Sequence, residues 1–281
     1  MAKIIGGITT SHIPAIGNAM ANKQENDPYW QRFFAGYEPV KQWLAEVKPD
    51  LAIIVYNDHG LNFFLNQVPT FAMGCADEYR NADEGWGIPE MPPFKGDAPF
   101  SWHVAESLIN QGVDMCTCQE MLVDHGFTVP MALMWRDLPE WPVKTLPFAV
   151  NTVQHPLTSA KRCYEVGKAL RTAVESYPED MKVVIIGTGG LSHQLQGERS
   201  GLIDVEYDIQ CMDAIVNNPE WMCSQSNTDI MEKAGTEGIE VIMWMVMRGA
   251  LSDKVNVLHK HYHAPISNTG AGVLLLTNSE E

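Results

Sequence analysis

The chain has 281 residues and a formal charge of −16, from 35 Asp and Glu against 19 Lys and Arg. A surplus of this sign repels polyphosphate, so no nucleic-acid partner is expected. It leaves room for a small anionic substrate wherever a bound cation dominates the local field.

Apolar residues at 45% and charged residues at 19% supply a sizeable core and argue against disorder. Six cysteines without a C-x-x-C spacing read as buried small side chains in a reducing compartment, not as a disulfide frame. The most apolar run, Val241 to Met247, falls far short of the ~20 residues of a membrane span. Ile4 to Ile8, broken by two glycines, is too short for a signal-peptide core. A soluble, cytoplasmic protein without membrane contact is expected. With no repeat, low-complexity tract or charge run to mark a linker, one domain over 1–281 is expected as well.

In chain order, short apolar or β-branched runs predict strands at Lys3–Ile8, Leu51–Tyr56, Val68–Met73, Val113–Cys118, Val143–Val150, Lys182–Ile186 and Gly272–Leu276. Helical stretches are predicted at Tyr37–Val47, Ser101–Asn110, Val129–Trp135, Ser159–Ser176, Val205–Asn217 and Ile239–Gly249. This alternation predicts an α/β fold, with a central, largely buried sheet flanked by helices. The segment from Asp83 to Pro99 carries Pro89, Pro92, Pro93 and Pro99, which excludes regular helix and predicts a long surface loop.

Four histidines fall just past predicted strands. His12 follows Ile8, His59 follows Tyr56, His125 follows Cys118 and His193 follows Ile186. In open α/β sheets the carboxyl edge is where loops converge and ligands bind. Each also has an ordinary structural reading: His12 as a turn residue, and His59 in an Asx turn closed by Gly60. Alternatively, a neighbouring carboxylate orients the His59 imidazole on a metal. Asp124-His125-Gly126 repeats the triplet Asp58-His59-Gly60. His193 follows Gly187-Thr188-Gly189-Gly190, which lacks the spacing of a phosphate loop and reads as a tight turn.

The carboxylate candidate is Glu240, at the head of a stretch apolar nearly all round and therefore buried. A carboxylate there needs a cation, several donors or the helix N-terminus. Two histidines and a carboxylate suit non-haem Fe(II) and equally suit a hydrolytic zinc. His259, His261 and His263 form a separate cluster, read either as a metal pair on a helix face or as a solvated helix end. Ser267 and Asn268 precede the last strand as turn residues or as holders of an anionic group.

At these residues the chain resembles the class III extradiol ring-cleaving dioxygenases, of the protocatechuate 4,5-dioxygenase β-subunit type. The resemblance is carried by Thr10-Ser11-His12-Ile13-Pro14-Ala15, Val55-Tyr56-Asn57-Asp58-His59, Ala82-Asp83-Glu84-Gly85-Trp86-Gly87 and Val123-Asp124-His125-Gly126. It continues through Gly187 to Gly190, Ser192 to Gly197, Glu237-Gly238-Ile239-Glu240 and Ser267-Asn268-Thr269. It implies His12, His59 and Glu240 as Fe(II) ligands, His193 as acid/base, and His125 as a hydrogen-bond partner of substrate oxygens. Ser267 and Asn268 would lie near a ring carboxylate.

The implied reaction is extradiol cleavage of a carboxylated catechol by O2. Protocatechuate, opened to 4-carboxy-2-hydroxymuconate semialdehyde, is the leading substrate; gallate or 3-O-methylgallate is the alternative, and a zinc hydrolase the second alternative. Gallate enzymes carry a small helical domain after the last strand, and protocatechuate enzymes a separate α subunit. A chain ending at Glu281 is therefore expected to take such a partner or to form a homo-oligomer.

Overall fold

The computed structural model describes residues 1–85 and 90–279; Trp86, Gly87 and Pro89 of the motif and loop above lie outside them. The first half runs β1 (Lys3–Thr10), α1 (Pro14–Ala21), α2 (Gln31–Ala35), α3 (Glu38–Val47), β2 (Leu51–Tyr56), β3 (Phe71–Gly74), β4 (Glu78–Asn81) and β5 (Phe94–Lys95). Next come α4 (Ala98–Asn110), β6 (Cys116–Cys118), β7 (Leu122–Val123), α5 (His125–Trp135), β8 (Lys144–Val150) and α6 (Ala160–Glu175). The second half continues with β9 (Lys182–Thr188), α7 (Val205–Asn217), α8 (Pro219–Ser224), α9 (Asn227–Ala234), a 3-10 turn (Glu237–Val241), α10 (Ile242–Ala250), β10 (Val255–Ile266) and β11 (Thr269–Asn278).

The main sheet has the order β10-β11-β1-β9-β2-β8-β3-β6. Its centre, β1-β9-β2-β8, is parallel. β11 and β10 add antiparallel strands on one side, and β3 lies antiparallel to β8 on the other. The parallel strands read as continuous apolar runs because both faces are covered. Along β2, Leu51, Ile53 and Val55 pack with α4, α6, α7 and α10, while Ala52, Ile54 and Tyr56 pack with α1, α2, α3 and α5. The period of two in a pleated strand makes this division. Burial of these runs supplies the main stabilisation, at about 25 cal/mol per Å² of apolar surface.

Three expectations need correction. The 83–99 segment contains β5 and the start of α4, where Asp97 caps the helix through Phe100 N (3.1 Å) and Pro99 occupies the first turn. Proline is tolerated there because that N–H has no helical partner anyway. The histidine-rich stretch 259–263 lies in β10, so His259, His261 and His263 share one strand face with rings stacked 6.3 and 6.5 Å apart. They neither end a helix nor converge on one ion. Six cysteines are free, as expected, but only Cys75, Cys163 and Cys211 are buried, and Cys116 is exposed.

Among the described residues no helix is long and apolar enough to cross a membrane.

Candidate metal centre

The adjacent strands β1, β9 and β2 end on the same edge of the sheet and deliver His12, the turn before His193, and His59. His12 sits between β1 and α1, whose first turn begins with Pro14. Ser11 Oγ donates to Gly190 O at 2.6 Å, tying this turn to the one after β9. His12 Nδ1 meets Thr188 Oγ1 at 3.0 Å, and its Nε2 faces Glu240 Oε2 at 3.3 Å. Burial lowers its pKa against the pull of Glu240, favouring the neutral, ligating form.

His59 is oriented by a carboxylate distant in sequence. Asp58, its chain neighbour, accepts from the N–H groups of Gly60, Asn62 and Phe63 and shapes the loop instead. Asp124 Oδ2 accepts from His59 N at 2.6 Å and faces His59 Nδ1 at 3.1 Å. Its other oxygen caps α5 through Gly126 N (2.9 Å). Burial opposes charge on both partners, but their attraction outweighs it: Asp124 falls to about 2 and His59 rises to about 10. The field that favours a proton on His59 equally favours a cation at its Nε2, the role of a carboxylate behind a ligating histidine.

Asp124→Asn keeps the cap acceptor and removes the charge. We expect a folded protein whose divalent metal affinity falls roughly 10–100-fold, read by anaerobic titration. Unchanged affinity would deny Asp124 this support role.

Glu240 lies in the 3-10 turn and not, as expected, at the head of an α-helix; α10 begins at Ile242. Its Oε2 accepts from Gly190 N at 3.0 Å and its Oε1 from Asn57 Nδ2 at 3.1 Å. Burial would raise its pKa, but His12 and His59 hold it well below the usual carboxylate range. Gly189 (φ +88°) and Gly190 (φ +59°) make the expected tight turn. A Cβ on Gly189 would come within 2.9 Å of Glu240 Oε2, so this close approach also requires glycine. Trp244 Nε1 donates to Gly189 O at 3.0 Å and fixes the turn from below.

His193 follows in this turn. Its N donates to Ala234 O (2.7 Å), its Nδ1 meets Leu191 O at 2.9 Å, and its Nε2 stands 3.9 Å from Glu240 Oε2. Asp208 holds the turn by accepting from Ser192 N and Ser192 Oγ at 2.8 and 2.7 Å. His125 opens α5 with its ring stacked on His59, centroids 3.9 Å apart, and its Nδ1 is 2.5 Å from Glu84 Oε2. In all four histidines Nδ1 is engaged, by Thr188, Asp124, Leu191 or Glu84; Nε2 of His12, His59 and His193 faces Glu240.

The structure therefore brings together five of the seven predicted site residues. Ser267 and Asn268 form the tip of the β10–β11 hairpin, both at positive φ (48° and 60°), as a two-residue primed turn requires. Backbone bonds between Gly270 and both Leu191 and Ser192 (2.7 and 2.9 Å) hang this hairpin beside the His193 turn. Sequence reading missed Asp124, Glu84, Asn57 and Asp208. The repeated Asp-His-Gly triplet was the signal for Asp124, and Asn57 and Glu84 stand in motifs that carry the resemblance, though no role was read for them; nothing pointed to Asp208.

The donor set fits a divalent ion. His12, His59 and His125 each offer a nitrogen within 4.8 Å of the others, and Glu240 contributes the charge, with His12 Nε2 and His59 Nε2 at 3.3 and 3.8 Å. Glu84, Asp124 and His125 form a second such group beside it. Asn57 Oδ1 is buried without a partner at this spot. A buried carboxylate ringed by imidazole nitrogens is stabilised by a cation.

The family model described as the catalytic LigB subunit of aromatic ring-opening dioxygenase matches residues 6–274. Gallate dioxygenase of Pseudomonas putida is 42% identical over 200 residues, 71% of this chain and 58% of its own length. The chain thus spans less than two thirds of that relative. The 2,3-dihydroxyphenylpropionate/2,3-dihydroxicinnamic acid 1,2-dioxygenase of Photorhabdus laumondii is 25% identical over 315 residues, covering 96% of both chains. Its counterpart in Rhodococcus jostii is 26% identical over 291 residues, 87% of this chain and 88% of its own. An uncharacterized protein of Escherichia coli K12 has the same fold, with a TM-score of 0.62 at 12% identity over 96% of this chain and 99% of its own.

Proposed function

Since the chain belongs to the family of catalytic LigB subunits of aromatic ring-opening dioxygenases, we propose that it performs Fe(II)-dependent extradiol cleavage of a carboxylated catechol with O2. The observation that carries this reading is the convergence of His12 Nε2 and His59 Nε2 on the buried carboxylate of Glu240. Two neutral nitrogens and one carboxylate leave coordination positions open, as Fe(II) oxygen chemistry needs. Fe(II) held there would supply a chelation point for adjacent ring hydroxyls and a path for electrons from substrate to O2.

The chain's own groups handle the protons. His193 keeps Nδ1 against Leu191 O, so its Nε2 exchanges protons at the site as general acid and base. His125, with Nδ1 on Glu84, offers Nε2 to a substrate hydroxyl. Ser267 and Asn268, on the hairpin hung beside the His193 turn, serve the ring carboxylate.

For the substrate, the 42% identity to gallate dioxygenase favours gallate over protocatechuate, the reverse of the order that Ser267 and Asn268 alone support. The loops leaving the site expose Phe64 (61%), Leu65 (70%) and Leu195 (61%), a setting that suits a small helical partner subunit over the site. The test is initial rates on gallate, 3-O-methylgallate, protocatechuate and 2,3-dihydroxyphenylpropionate, with and without an α-type subunit. Gallate is expected to give the highest kcat/KM. A preference for 2,3-dihydroxyphenylpropionate, which bears its carboxylate on a flexible arm, would overturn the substrate assignment.

A further inference from the structure

Two carboxylate–histidine pairs lie side by side in this centre. Asp124 backs His59; Glu84 backs His125. The two pairs reach the site on adjacent strands. β4 carries the chain toward Glu84, β7 carries it into Asp124 and His125, and the strands pair in parallel through Arg80↔Leu122 and Asn81↔Val123. The pairing continues with Ala82 N donating to Val123 O at 2.9 Å. Asn81 closes the base of the connection, its side chain bonding Met91 O (2.9 Å) and accepting from Met91 N (3.4 Å). Glu84 is thereby brought back over His125 by backbone hydrogen bonds rather than by its own side chain.

The pair is dry. The side chains of Glu84 and His125 are each 7% exposed, and Oε2 lies 2.5 Å from Nδ1. A buried carboxylate at this distance is matched by an N–H and not by a second lone pair, so it selects the tautomer with the proton on Nδ1. The ring is gripped on its flat side too, by His59 at 3.9 Å and edge-on by His12 at 5.6 Å. Orientation, tautomer and plane of the imidazole are all fixed before substrate arrives.

We propose that Glu84 is a positioning residue: it locks the His125 ring with Nε2 as acceptor toward a substrate hydroxyl. This rests on the reading of His125 given above. The Glu84 carboxylate bonds His125 Nδ1 and reaches the centre through that ring. Its substitution therefore costs turnover while leaving metal content intact.

The test is a double-mutant cycle on the Fe(II)-loaded full chain with gallate or the best catechol of the panel, measuring Glu84→Ala, His125→Ala and the pair. Glu84→Ala is expected to lower kcat about 10–100-fold, below the ~10²–10⁴-fold of a group that itself transfers the proton, with iron per chain unchanged. Glu84→Gln retains an acceptor oxygen and should recover most of that loss. In the His125→Ala background, Glu84→Ala should add less than about 3-fold, because residues acting as one unit are not additive. Imidazole ¹⁵N shifts of the diamagnetic Zn(II) form supply a readout that a structural role would not move: His125 protonated on Nδ1 in the parent and mixed in Glu84→Ala.

Multiplicative losses in the double variant, or an unchanged tautomer in Glu84→Ala, would overturn the proposal and leave His125 its role. Wild-type kcat in His125→Ala would overturn the role of His125 and the proposal with it.

Discussion

Glu240→Ala is expected to yield a folded chain that retains less than about 1% of its iron after desalting and has no measurable O2 uptake with any catechol. Three imidazole Nε2 atoms, from His12, His59 and His193, stand 3.3, 3.8 and 3.9 Å from its carboxylate. Removing it takes away the only charged donor proposed for the ion and leaves a neutral pair. Loss of a single ligand of such a set costs more than the 10–100-fold attached to a supporting residue behind it.

The variant also strands Gly190 N–H and the Asn57 amide, which Glu240 now satisfies. An orphaned buried donor costs about 1–3 kcal/mol, so Tm should fall without abolishing the fold. Glu240→Gln separates the two effects: its one acceptor oxygen keeps one of these two bonds and part of the stability, and it still fails to hold iron. Stoichiometric iron in either variant would remove Glu240 from the ligand set.

His193→Ala should behave in the opposite way, holding iron at the wild-type ratio while kcat falls ~10²–10⁴-fold, the share that general acid–base help contributes. Its Nε2 faces Glu240 rather than completing the His12–His59 pair, and its ring is anchored by Leu191 O. Substrate binding, followed anaerobically by the change in catechol absorbance, should change little. Small loss of kcat with heavy loss of iron would move His193 from proton transfer to ligation. The Ser192–Asp208 bonds lie on the other side of the turn and stay in place, so the fold should tolerate the change.

How far the sequence was legible depended on whether a feature was local. The parallel strands β1, β2, β8 and β9 announced themselves because burial on both faces writes an unbroken apolar run, as in Leu51–Tyr56. The edge strand β10 did not. Half exposed, with Lys260 paired to Asp213 and Tyr262 to Asp208 on one face and three histidines on the other, it alternates polar with polar and gives no hydrophobic period.

The four histidines of the centre were found because each follows a strand closely. The carboxylates behind them were hidden by sequence separation: 65 residues between His59 and Asp124, 41 between Glu84 and His125. The two Asp-His-Gly triplets look alike for different reasons. Gly60 has φ +83° in a loop, while Gly126 sits at a helix start where a Cβ would meet Asn57 O at 2.8 Å. Asp58 shapes its own loop, and Asp124 reaches across to His59, a distinction only the fold makes.

The most direct test of the central claim is the stoichiometry of O2 consumed to ring-opened product formed by the anaerobically Fe(II)-loaded chain given gallate, with the Zn(II)-loaded chain in parallel. The account predicts one O2 per ring opened with iron, a yellow product, and no uptake with zinc. Protein with a full complement of iron that consumes no O2 with any catechol of the panel, while its zinc form hydrolyses an ester or amide, would contradict it and make the centre hydrolytic.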